Sequence, residues 1–292
     1  MSRIFEALEK SSKEKTEVVV KSGNGPVLPE KQVAAGATLR PNGENGSVAG
    51  SGRSWREKAE ELLFGRDLRN YESYPLVALQ KGSPAAEQYK ILREQVRRLR
   101  SETGAQSLSV TSAIKRDGKT TVAVNLAAAI ALDYEEKVLL IDCDLRGPQV
   151  HRYFGLKRDP GLTDYLTTAS SNGNVLDYVQ ETSLPGLQVL ADGRAAGLSS
   201  ELLAMDKMTS LMEEIRVKFP HHQIIIDSPP VLSTPDPIVL ARQVSGTLMV
   251  VRAGKTPREC LTEAIQTLKP DKVIGIVLND AELGIASKYY YY

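Results

Sequence analysis

Apolar residues recur along the chain in spacings that predict alternating helices and strands. Tyr89, Leu92, Val96 and Leu99 fall on one stripe at helical spacing, which predicts a helix over residues 85–101 and places the start of ordered structure near Ser83. The predicted strands then cover residues 108–112, 138–142, 187–190, 223–227, 247–251 and 273–278, and the predicted helices cover residues 121–132, 200–219 and 258–268.

The strand segments are continuous apolar runs rather than alternating ones, as residues 138–142 (Val-Leu-Leu-Ile-Asp) illustrate. A strand of this kind is buried on both faces, which is typical of a parallel sheet between two layers of helices. We therefore expect an α/β fold with a mostly parallel central sheet. In such sheets, ligands bind beyond the carboxyl ends of the strands.

The first 80 residues differ in pattern from the rest. Residues 3–10 and 54–65 each predict a short helix, and the glycine-rich stretch between residues 21 and 53 has few apolar side chains to offset chain entropy. We expect residues 1–80 to form short helices and a flexible linker that are largely disordered, residues 81–288 to form one domain, and residues 289–292 to form a tail.

Composition excludes several classes of function. The net charge of +1 over 292 residues provides no general attraction to nucleic acid, so we expect no nucleic-acid partner. Two cysteines, Cys143 and Cys260, cannot form a disulfide framework and indicate a reducing compartment. No apolar run reaches the roughly 18 residues that a membrane span requires. We expect a cytoplasmic protein.

Residues 113–121 (Ala-Ile-Lys-Arg-Asp-Gly-Lys-Thr-Thr) lie between a predicted strand and a predicted helix, which is the context of a phosphate-binding P-loop. Gly118 allows the backbone to approach phosphate closely, Lys119 can reach the outer phosphates, and the Thr120 hydroxyl can bind Mg²⁺. The predicted nucleotide-binding residues are Ala113, Lys115, Arg116, Asp117, Gly118, Lys119, Thr120 and Thr121. The motif specifies the fold as a P-loop NTPase three-layer sandwich that binds ATP.

The loop departs from the usual pattern at three positions. Ala113 replaces the opening glycine, and Lys115 and Arg116 stand where proline and glycine are frequent. Arg116 cannot adopt a positive φ without cost, so either the backbone differs locally or strain is stored there.

Carboxylates end two of the predicted buried strands. Asp142 and Asp144 follow one strand and Asp227 follows another, all beside the expected phosphate site. Mg²⁺ prefers oxygen ligands, and phosphoryl transfer depends on positioning and charge neutralisation. We expect one carboxylate to hold the metal, while Asp142 or Asp144 accepts a proton from an attacking hydroxyl.

The chain as given ends in four consecutive tyrosines, Tyr289, Tyr290, Tyr291 and Tyr292. A packed core cannot readily use such a run, because each buried phenol needs a hydrogen-bond partner. The run is interpreted as a solvated tail whose phenols are phosphate acceptors, and the alternative is a terminus without function.

Gly-Lys-Thr, Leu-Leu-Ile-Asp-Cys-Asp-Leu-Arg, Ile-Ile-Ile-Asp-Ser-Pro-Pro and the terminal tyrosines together resemble the bacterial tyrosine kinases of exopolysaccharide synthesis. The resemblance covers residues 80–292 and extends to shorter stretches, among them Val251-Arg-Ala-Gly-Lys-Thr. It implies an ATP- and Mg²⁺-dependent protein-tyrosine autokinase that phosphorylates its own tail between subunits. By the same resemblance, Lys119 is catalytic, Asp144 and Asp227 bind Mg²⁺ with Thr120, and Asp142 is the base.

The resemblance also implies partners. Such kinases form rings through a Glu-x-x-Arg-x-x-Arg helix motif, to which Glu87, Lys90 and Arg93 correspond here. Lys90 lacks the bidentate fork of arginine. The resemblance further implies a separate membrane-spanning chain-length regulator that recruits the kinase to the inner face of the membrane. Asn279, at the end of the last strand, is predicted to contact adenine, with a role in a turn as the alternative.

Two other functions stay open on the sequence. One is a partitioning or positioning ATPase, a class whose loops carry a lysine five residues before the P-loop lysine. That position is Ile114 here, and Lys115 is one residue away. The other is a nucleotide-binding scaffold without catalysis that regulates a polysaccharide assembly complex, which the unusual loop would suit.

Overall fold

A single sheet of eight strands runs through the computed structural model, which describes residues 18–20, 76–80, 82–133, 136–168, 174–194, 199–204 and 206–281. The strand order is β1-β8-β7-β2-β6-β3-β5-β4, and neighbours are parallel except for β4 and β5. The strands are β1 (Val18–Val20), β2 (Ser107–Ser112), β3 (Lys137–Asp142), β4 (Gln180–Glu181), β5 (Leu187–Leu190), β6 (His222–Asp227), β7 (Gly246–Arg252) and β8 (Val273–Asn279).

The central strands are buried on both faces, as their continuous apolar sequences predicted. In β3, Val138 and Leu140 belong to one apolar cluster, whereas Leu139 and Ile141 belong to another on the opposite face. Successive side chains of a strand point to opposite faces, so a strand between two helix layers needs apolar residues at every position. The mostly parallel sheet of the prediction is confirmed.

Helices cover both faces and complete a three-layer sandwich. The helices are α1 (Pro84–Thr103), α2 (Lys119–Ala131), α3 (Val150–Tyr153), α4 (Leu162–Thr167), α5 (Ser199–Ala204), α6 (Asp206–Lys218), α7 (Asp236–Gln243) and α8 (Arg258–Leu268). Short 3₁₀ turns lie at Val77–Leu79, Val175–Asp177 and Pro270–Lys272. Helices α1 to α3 pack on one face, and α4 to α8 pack on the other.

Helix α1 begins directly after Ser83, but the turn Val77–Leu79, which packs into the core, precedes the residue at which the sequence placed the start of ordered structure. The Ser83 side chain accepts a hydrogen bond of 3.1 Å from the Ala86 N–H, and Pro84 occupies the first turn. Its end at Thr103 is followed by Gly104, whose φ of 71° is the left-handed conformation that often terminates helices. The helix is three residues longer than the predicted stretch of 85–101.

The structure differs from the prediction in its shorter elements. The helix predicted over residues 200–219 is two helices, α5 and α6. Strands β1 and β4 and helices α3, α4 and α7 were not predicted, because two to eight residues are too few to establish a period. Strand β1 lies within the segment predicted as short helices and linker. The helices predicted over residues 3–10 and 54–65 lie outside the described residues.

The sheet register places the acidic strand ends beside the phosphate loop. Asp142 of β3 is paired in register with Asp227 of β6, and Asp227 is paired with Val110 of β2. The segment 113–118 leaves β2 at this same edge and leads into α2. Within the described ranges, no helix is both long and apolar enough to cross a bilayer.

Candidate nucleotide site

The phosphate loop joins β2 to the amino end of α2 through a tightly constrained backbone. Gly118 has a φ of 92°, and a Cβ atom added there would lie 2.0 Å from Asn279 Nδ2, so no other residue fits without rearrangement. Arg116 has a φ of 70°, which costs a non-glycine residue about 1 kcal/mol. Of the two alternatives that the sequence left open, the loop therefore stores strain at Arg116.

Asp117 ties the loop to the protein interior. Its side chain is 2% exposed, and Oδ1 accepts a 2.8 Å hydrogen bond from Thr256 Oγ1. Burial raises the pKa of this carboxyl, although hydrogen bonds from Thr256 and the Ile114 N–H act in the opposite direction. The Arg252 N–H donates in turn to Thr256 Oγ1 at 2.8 Å. The side chain of Asp117, predicted to bind nucleotide, thus points away from the cavity.

Asn279 lies beneath the same loop. Its side-chain Nδ2 donates a 2.9 Å hydrogen bond to the carbonyl oxygen of Asp117, and the residue is 4% exposed. Asn279 therefore supports the phosphate loop, a role for which the sequence carried no separate signal. The predicted contact with adenine stays a prediction.

A cavity of about 490 Å³ opens at the carboxyl edge of the sheet, above the start of α2. It brings together seven of the residues that the sequence selected, namely Lys115, Arg116, Gly118, Lys119, Thr120, Thr121 and Asp144. The remaining lining residues are Arg146, Gly147, Gln149, Pro229, Pro230, Ser233 and Thr234. Ala113, predicted as a nucleotide contact, is fully buried in an apolar cluster and does not line the cavity.

Lys119 and Thr120 link the loop to the acidic strand ends. Lys119 Nζ lies 2.6 Å from Asp144 Oδ2, and Thr120 Oγ1 donates a 2.7 Å hydrogen bond to Asp227 Oδ2. Burial disfavours the charged form of Lys119, but the carboxylates of Asp227 and Asp144 outweigh it and raise the lysine pKa. The side chain is therefore a protonated amine held at the floor of the cavity.

Asp227 is charged only at a cost. It is fully buried, its Oδ1 atom has no hydrogen-bond partner in the described structure, and burial raises its pKa to about 6 despite the nearby Lys119. A hard cation needs oxygen donors, and the Thr120 hydroxyl with the Asp227 and Asp144 carboxylates forms such a set. The residues present therefore fit Mg²⁺.

Asp142 lies behind this group and does not line the cavity. It is fully buried, and its oxygens accept hydrogen bonds of 3.2 Å from the Asp144 N–H and 3.1 Å from the Gln149 and Val150 N–H groups. Burial, followed by the charge of Asp227, raises its pKa well above the ordinary range. The carboxylate predicted as the base thus accepts hydrogen bonds from the start of α3 and lies farther from the cavity than Asp144.

The remaining predicted residues lie apart from the cavity. The tail tyrosines 289–292 fall outside the described residues. Glu87, Lys90 and Arg93 lie on α1, where Lys90 Nζ is 2.6 Å from Glu87 Oε1. The Arg93 side chain is only 19% exposed, and its Nη1 donates to the Ala129 carbonyl oxygen at 3.4 Å.

Several supporting residues were not selected from the sequence. Thr256 lies at the end of the stretch Val251-Arg-Ala-Gly-Lys-Thr, and Arg146 and Pro229 lie within the two acidic motifs. Their positions within these motifs were the features of the sequence by which Thr256, Arg146 and Pro229 could have been selected. Gln149, Ser233 and Thr234 carried none, because their proximity to the cavity depends on how the loops fold over the sheet edge.

Comparisons with known proteins agree with this geometry. A family model described as an AAA domain matches residues 116–268. The tyrosine-protein kinase YwqD of Bacillus subtilis is 35% identical over 210 residues, a match that covers 71% of this chain and 86% of YwqD. The chain belongs to the bacterial tyrosine-protein kinase family. The family resemblance drawn from the sequence motifs is confirmed.

Other members of the tyrosine-protein kinase family match in sequence and structure. The kinase ptk of Acinetobacter johnsonii is 30% identical, and the match covers 74% of this chain but only 29% of ptk. The kinase domain of the Escherichia coli tyrosine kinase ETK superposes with a TM-score of 0.64 at 29% identity, covering 72% of this chain and 83% of that domain. The chimerical protein CapA2B2 gives a TM-score of 0.65 at 27% identity, covering 72% and 91%.

Proposed function

We propose that the chain is an ATP- and Mg²⁺-dependent protein-tyrosine autokinase that phosphorylates Tyr289, Tyr290, Tyr291 and Tyr292. The observation that carries the proposal is the contact between Lys119 and Asp144 in a cavity formed by the phosphate loop. It places a lysine cation and a carboxylate within 2.6 Å of each other, beside free amides at the amino end of a helix. Family membership supplies the tyrosine as acceptor.

The nucleotide phosphates bind over the loop, where Gly118 leaves the backbone accessible and Lys119 faces the outer phosphates. The cavity also contains Lys115 and Arg116, which are both exposed and add positive charge at its mouth. Thr120, Asp144 and Asp227 would hold Mg²⁺, which would neutralise charge on the transferred phosphoryl group. Lys119 exchanges its contact with Asp144 for the phosphate oxygens.

A tyrosine hydroxyl that attacks the outer phosphate must lose its proton. Asp144 lines the cavity, and Asp142 lies directly behind it with a strongly raised pKa. We propose that one of these two carboxylates is the base. Asp142→Asn and Asp144→Asn variants distinguish them: the base variant lowers kcat with little change in KM for ATP, whereas the metal-ligand variant raises the Mg²⁺ requirement.

We further propose a ring in which α1 docks on a neighbouring subunit through Glu87, Lys90 and Arg93. In the structure, Lys90 and Glu87 pair with each other on the surface, and Arg93 is largely folded against α2. The role in exopolysaccharide polymerisation or export, recruitment to the inner face of the membrane, and a separate membrane-spanning regulator are part of the same proposal. They derive from the family resemblance.

The two alternative functions have less support. In partitioning ATPases the signature lysine would occupy position 114, but Ile114 packs against an apolar cluster in this structure. A scaffold without catalysis would be favoured by a collapsed phosphate site. The cavity, the lysine and the oxygen donors are instead all in place, so strain at Arg116 has not disrupted the site.

Mass spectrometry of the purified chain after incubation with Mg·ATP tests the proposal. We expect phosphate on the tail of the wild type and none in Lys119→Ala, while Lys218→Ala, an exposed lysine at the end of α6, behaves as wild type. Equal labelling of a chain with all four tail tyrosines replaced by phenylalanine would show that the tail is not the acceptor. ADP release without phosphotyrosine would favour the ATPase, and ATP binding without either product would favour the scaffold.

A further inference from the structure

A second group of metal-ligating side chains lies next to the phosphate site, between β3 and β5. We propose that Asp142, His151 and Asp192 form a binding site for a divalent transition-metal ion of the zinc type. Each residue offers one ligand atom, and the three atoms lie within 4.8 Å of one another. They come from three separate segments, namely the end of β3, helix α3 and the loop that follows β5.

The Asp192 side chain is buried, and only one of its two carboxylate oxygens has a hydrogen-bond partner among the described residues. Its side chain is 1% exposed, Arg158 Nε donates a 2.7 Å hydrogen bond to Oδ2, and Arg158 Nη2 forms an ion pair with the same oxygen at 2.7 Å. The other oxygen, Oδ1, is buried and has no hydrogen-bond partner within the described residues. A buried carboxylate oxygen without a partner costs about 1–3 kcal/mol or more, so such atoms are usually satisfied by an ion, a water molecule or a side chain.

His151 faces this free oxygen. Its Nδ1 atom lies 3.7 Å from Asp192 Oδ1 and is also buried without a hydrogen-bond partner in the described structure. A separation of 3.7 Å is too long for a hydrogen bond. Two ligands that bind one ion at about 2.0–2.2 Å each are themselves roughly 3–4 Å apart, so the gap is suitable for a shared cation.

The protonation state of His151 agrees with a ligand role. Burial, followed by the positive charges of Arg152 and Arg158, lowers the pKa of the imidazole below its ordinary value. The neutral imidazole has a nitrogen lone pair for a metal, whereas a protonated one would repel it.

The charged forms of Asp142 and Asp192 are destabilised by burial, and a bound cation would offset that cost. Burial raises the pKa of Asp142 and of Asp192, and the charge of Asp192 contributes to the shift at Asp142. Arg158 is bound to the far oxygen of Asp192, so it leaves the side facing His151 open. Among the described residues, Asp142 Oδ1 accepts one hydrogen bond, from the Asp144 N–H, and keeps a lone pair.

The backbone holds the ligands before any ion binds. The Asp192 carbonyl accepts a 2.9 Å hydrogen bond from the Thr163 N–H at the start of α4, and the neighbouring Ala191 carbonyl accepts one of 2.8 Å from Leu162. Asp142 is held by the first amides of α3, the helix that carries His151. Ligands positioned on such supported segments lose little entropy on binding.

The donor set decides the class of ion. One imidazole nitrogen with two carboxylate oxygens suits Zn²⁺ or Co²⁺ in a tetrahedral site that is completed by water. Mg²⁺ prefers oxygen donors alone and retains several waters, so it favours the Thr120 and Asp227 group instead. The two sites are therefore selective for different cations, although they share one edge of the sheet.

Co²⁺ titration of the purified chain, followed by visible absorption in saturating Mg·ADP, tests the site. Mg·ADP occupies the phosphate site, so binding there does not contribute. We expect one tetrahedral Co²⁺ per wild-type chain, displaced by Zn²⁺, and an affinity at least about tenfold weaker in His151→Ala and in Asp192→Asn. His221→Ala, which removes an exposed histidine at the opposite edge of the sheet, should bind as the wild type does.

A wild-type chain that binds no Co²⁺ under these conditions would overturn the proposal, as would undiminished binding in both variants. Mg·ADP affinity, measured in parallel, shows that each variant is folded, and the isosteric Asp192→Asn decides the test if His151→Ala does not fold. A consequence that rests on the proposed kinase function is that Zn²⁺ slows tail phosphorylation in the wild type more than in His151→Ala, because the ion holds Asp142. The absorption test stands even if the chain is no kinase.

Discussion

The two edges of the sheet differ in the kind of polar side chain that they bury. At the amino edge, the Gln106 side-chain amide donates to the Phe219 and Pro220 carbonyls at 2.9 and 3.2 Å, and the Gln223 amide donates to the Gln106 carbonyl at 2.8 Å. At the carboxyl edge, by contrast, Asp142 and Asp227 are fully buried carboxylates with raised pKa values. The amino edge therefore buries neutral polar side chains, whereas the carboxyl edge buries carboxylates.

Several features that reduce the stability of the folded chain lie at the carboxyl edge. Unpaired carboxylate oxygens of Asp192 and Asp227, and the positive φ of Arg116, lie at the carboxyl edge, whereas the unpaired atom at the start of β6 is the neutral His222 Nδ1. Unpaired carboxylate oxygens of this kind accumulate where a protein binds charged ligands, because a cation can supply the missing contact. Substitutions at the two edges should therefore separate activity from stability.

The largest effect is expected for Asp227→Asn. Phosphotransfer should fall by roughly 100-fold because a metal ligand is lost, while the free energy of unfolding at pH 7 should rise by about 1–3 kcal/mol. The folded-state pKa of about 6 lies above that of an unfolded carboxyl, so the wild type loses stability as pH rises through 6. Urea unfolding at pH 5 and 7.5, with a tail-phosphorylation assay, checks both.

Asp133→Asn is the matched control at the opposite end of α2. Asp133 forms ion pairs with Arg97 Nη1 at 3.3 Å and with Arg93 Nη2 at 3.8 Å, so its replacement should change stability by less than about 1 kcal/mol and leave nucleotide affinity unchanged. A loss of stability in Asp227→Asn that exceeds the loss in Asp133→Asn would contradict the contrast between the edges.

Thr256→Val tests whether hydrogen bonds at the carboxyl edge hold the phosphate loop in place. The substitution keeps the side-chain shape but removes the hydroxyl that joins Asp117 to the Arg252 N–H, which should cost about 1–3 kcal/mol. The loosened loop should bind ATP several-fold more weakly. Fluorescent-nucleotide titration and thermal unfolding measure the two effects, and Thr256→Ser should restore both. Unchanged affinity in Thr256→Val would show that the hydrogen bonds of the Thr256 hydroxyl do not position the loop.

His222→Gln tests how a buried histidine at the amino edge makes the stability of the protein depend on pH. Burial, followed by the charges of Lys137 and Arg100, lowers the pKa of His222 to about 4. The unfolded chain therefore binds the extra proton first, and the wild type loses stability as pH falls from about 6.5 to 4. Discounted for partial exposure, the loss relative to His222→Gln should be about 1–2 kcal/mol.

Urea unfolding at pH 4.5 and 7.5 measures that loss, and His221→Gln provides the control because His221 is exposed. The wild type and His221→Gln should lose stability in parallel. A pH dependence that is the same in His222→Gln as in the wild type would assign it to other groups.

Apart from the control variants, the smallest effect is expected for Gln106→Ala. The loss of its hydrogen bonds to the carbonyls after α6 should lower the free energy of unfolding by about 1 kcal/mol. Tail phosphorylation and nucleotide affinity should not change, because the residue lies at the far edge of the sheet. Reduced kinase activity in a folded Gln106→Ala chain would show that the two edges are coupled.

Much of the fold was predictable because its main strands are long and apolar. Strands β2, β3, β6, β7 and β8 all lie within a residue or two of the predicted segments, and α8 begins and ends where predicted. Periodicity requires several residues on the same face, so two-residue β4 and four-residue α3 left no detectable pattern.

The candidate site was predictable only where one short motif contains the chemistry. Gly118, Lys119 and Thr120 are contiguous, and they line the cavity as expected. Asp117 lies in the same motif but points inward, because its partner Thr256 is 139 residues away in the chain. Contacts over such distances leave no trace in local spacing.

The sequence by itself determined the class of fold, the phosphate loop and the position of carboxylates at strand ends, since these depend on apolar periodicity and on residues close together in the chain. Only the tertiary structure decided that Asp144 faces the cavity while Asp142 lies behind it. It also brought His151 and Asp192 to Asp142 from separate segments. Register between parallel strands and the path of the loops above them set these positions, and both depend on packing across the whole sheet.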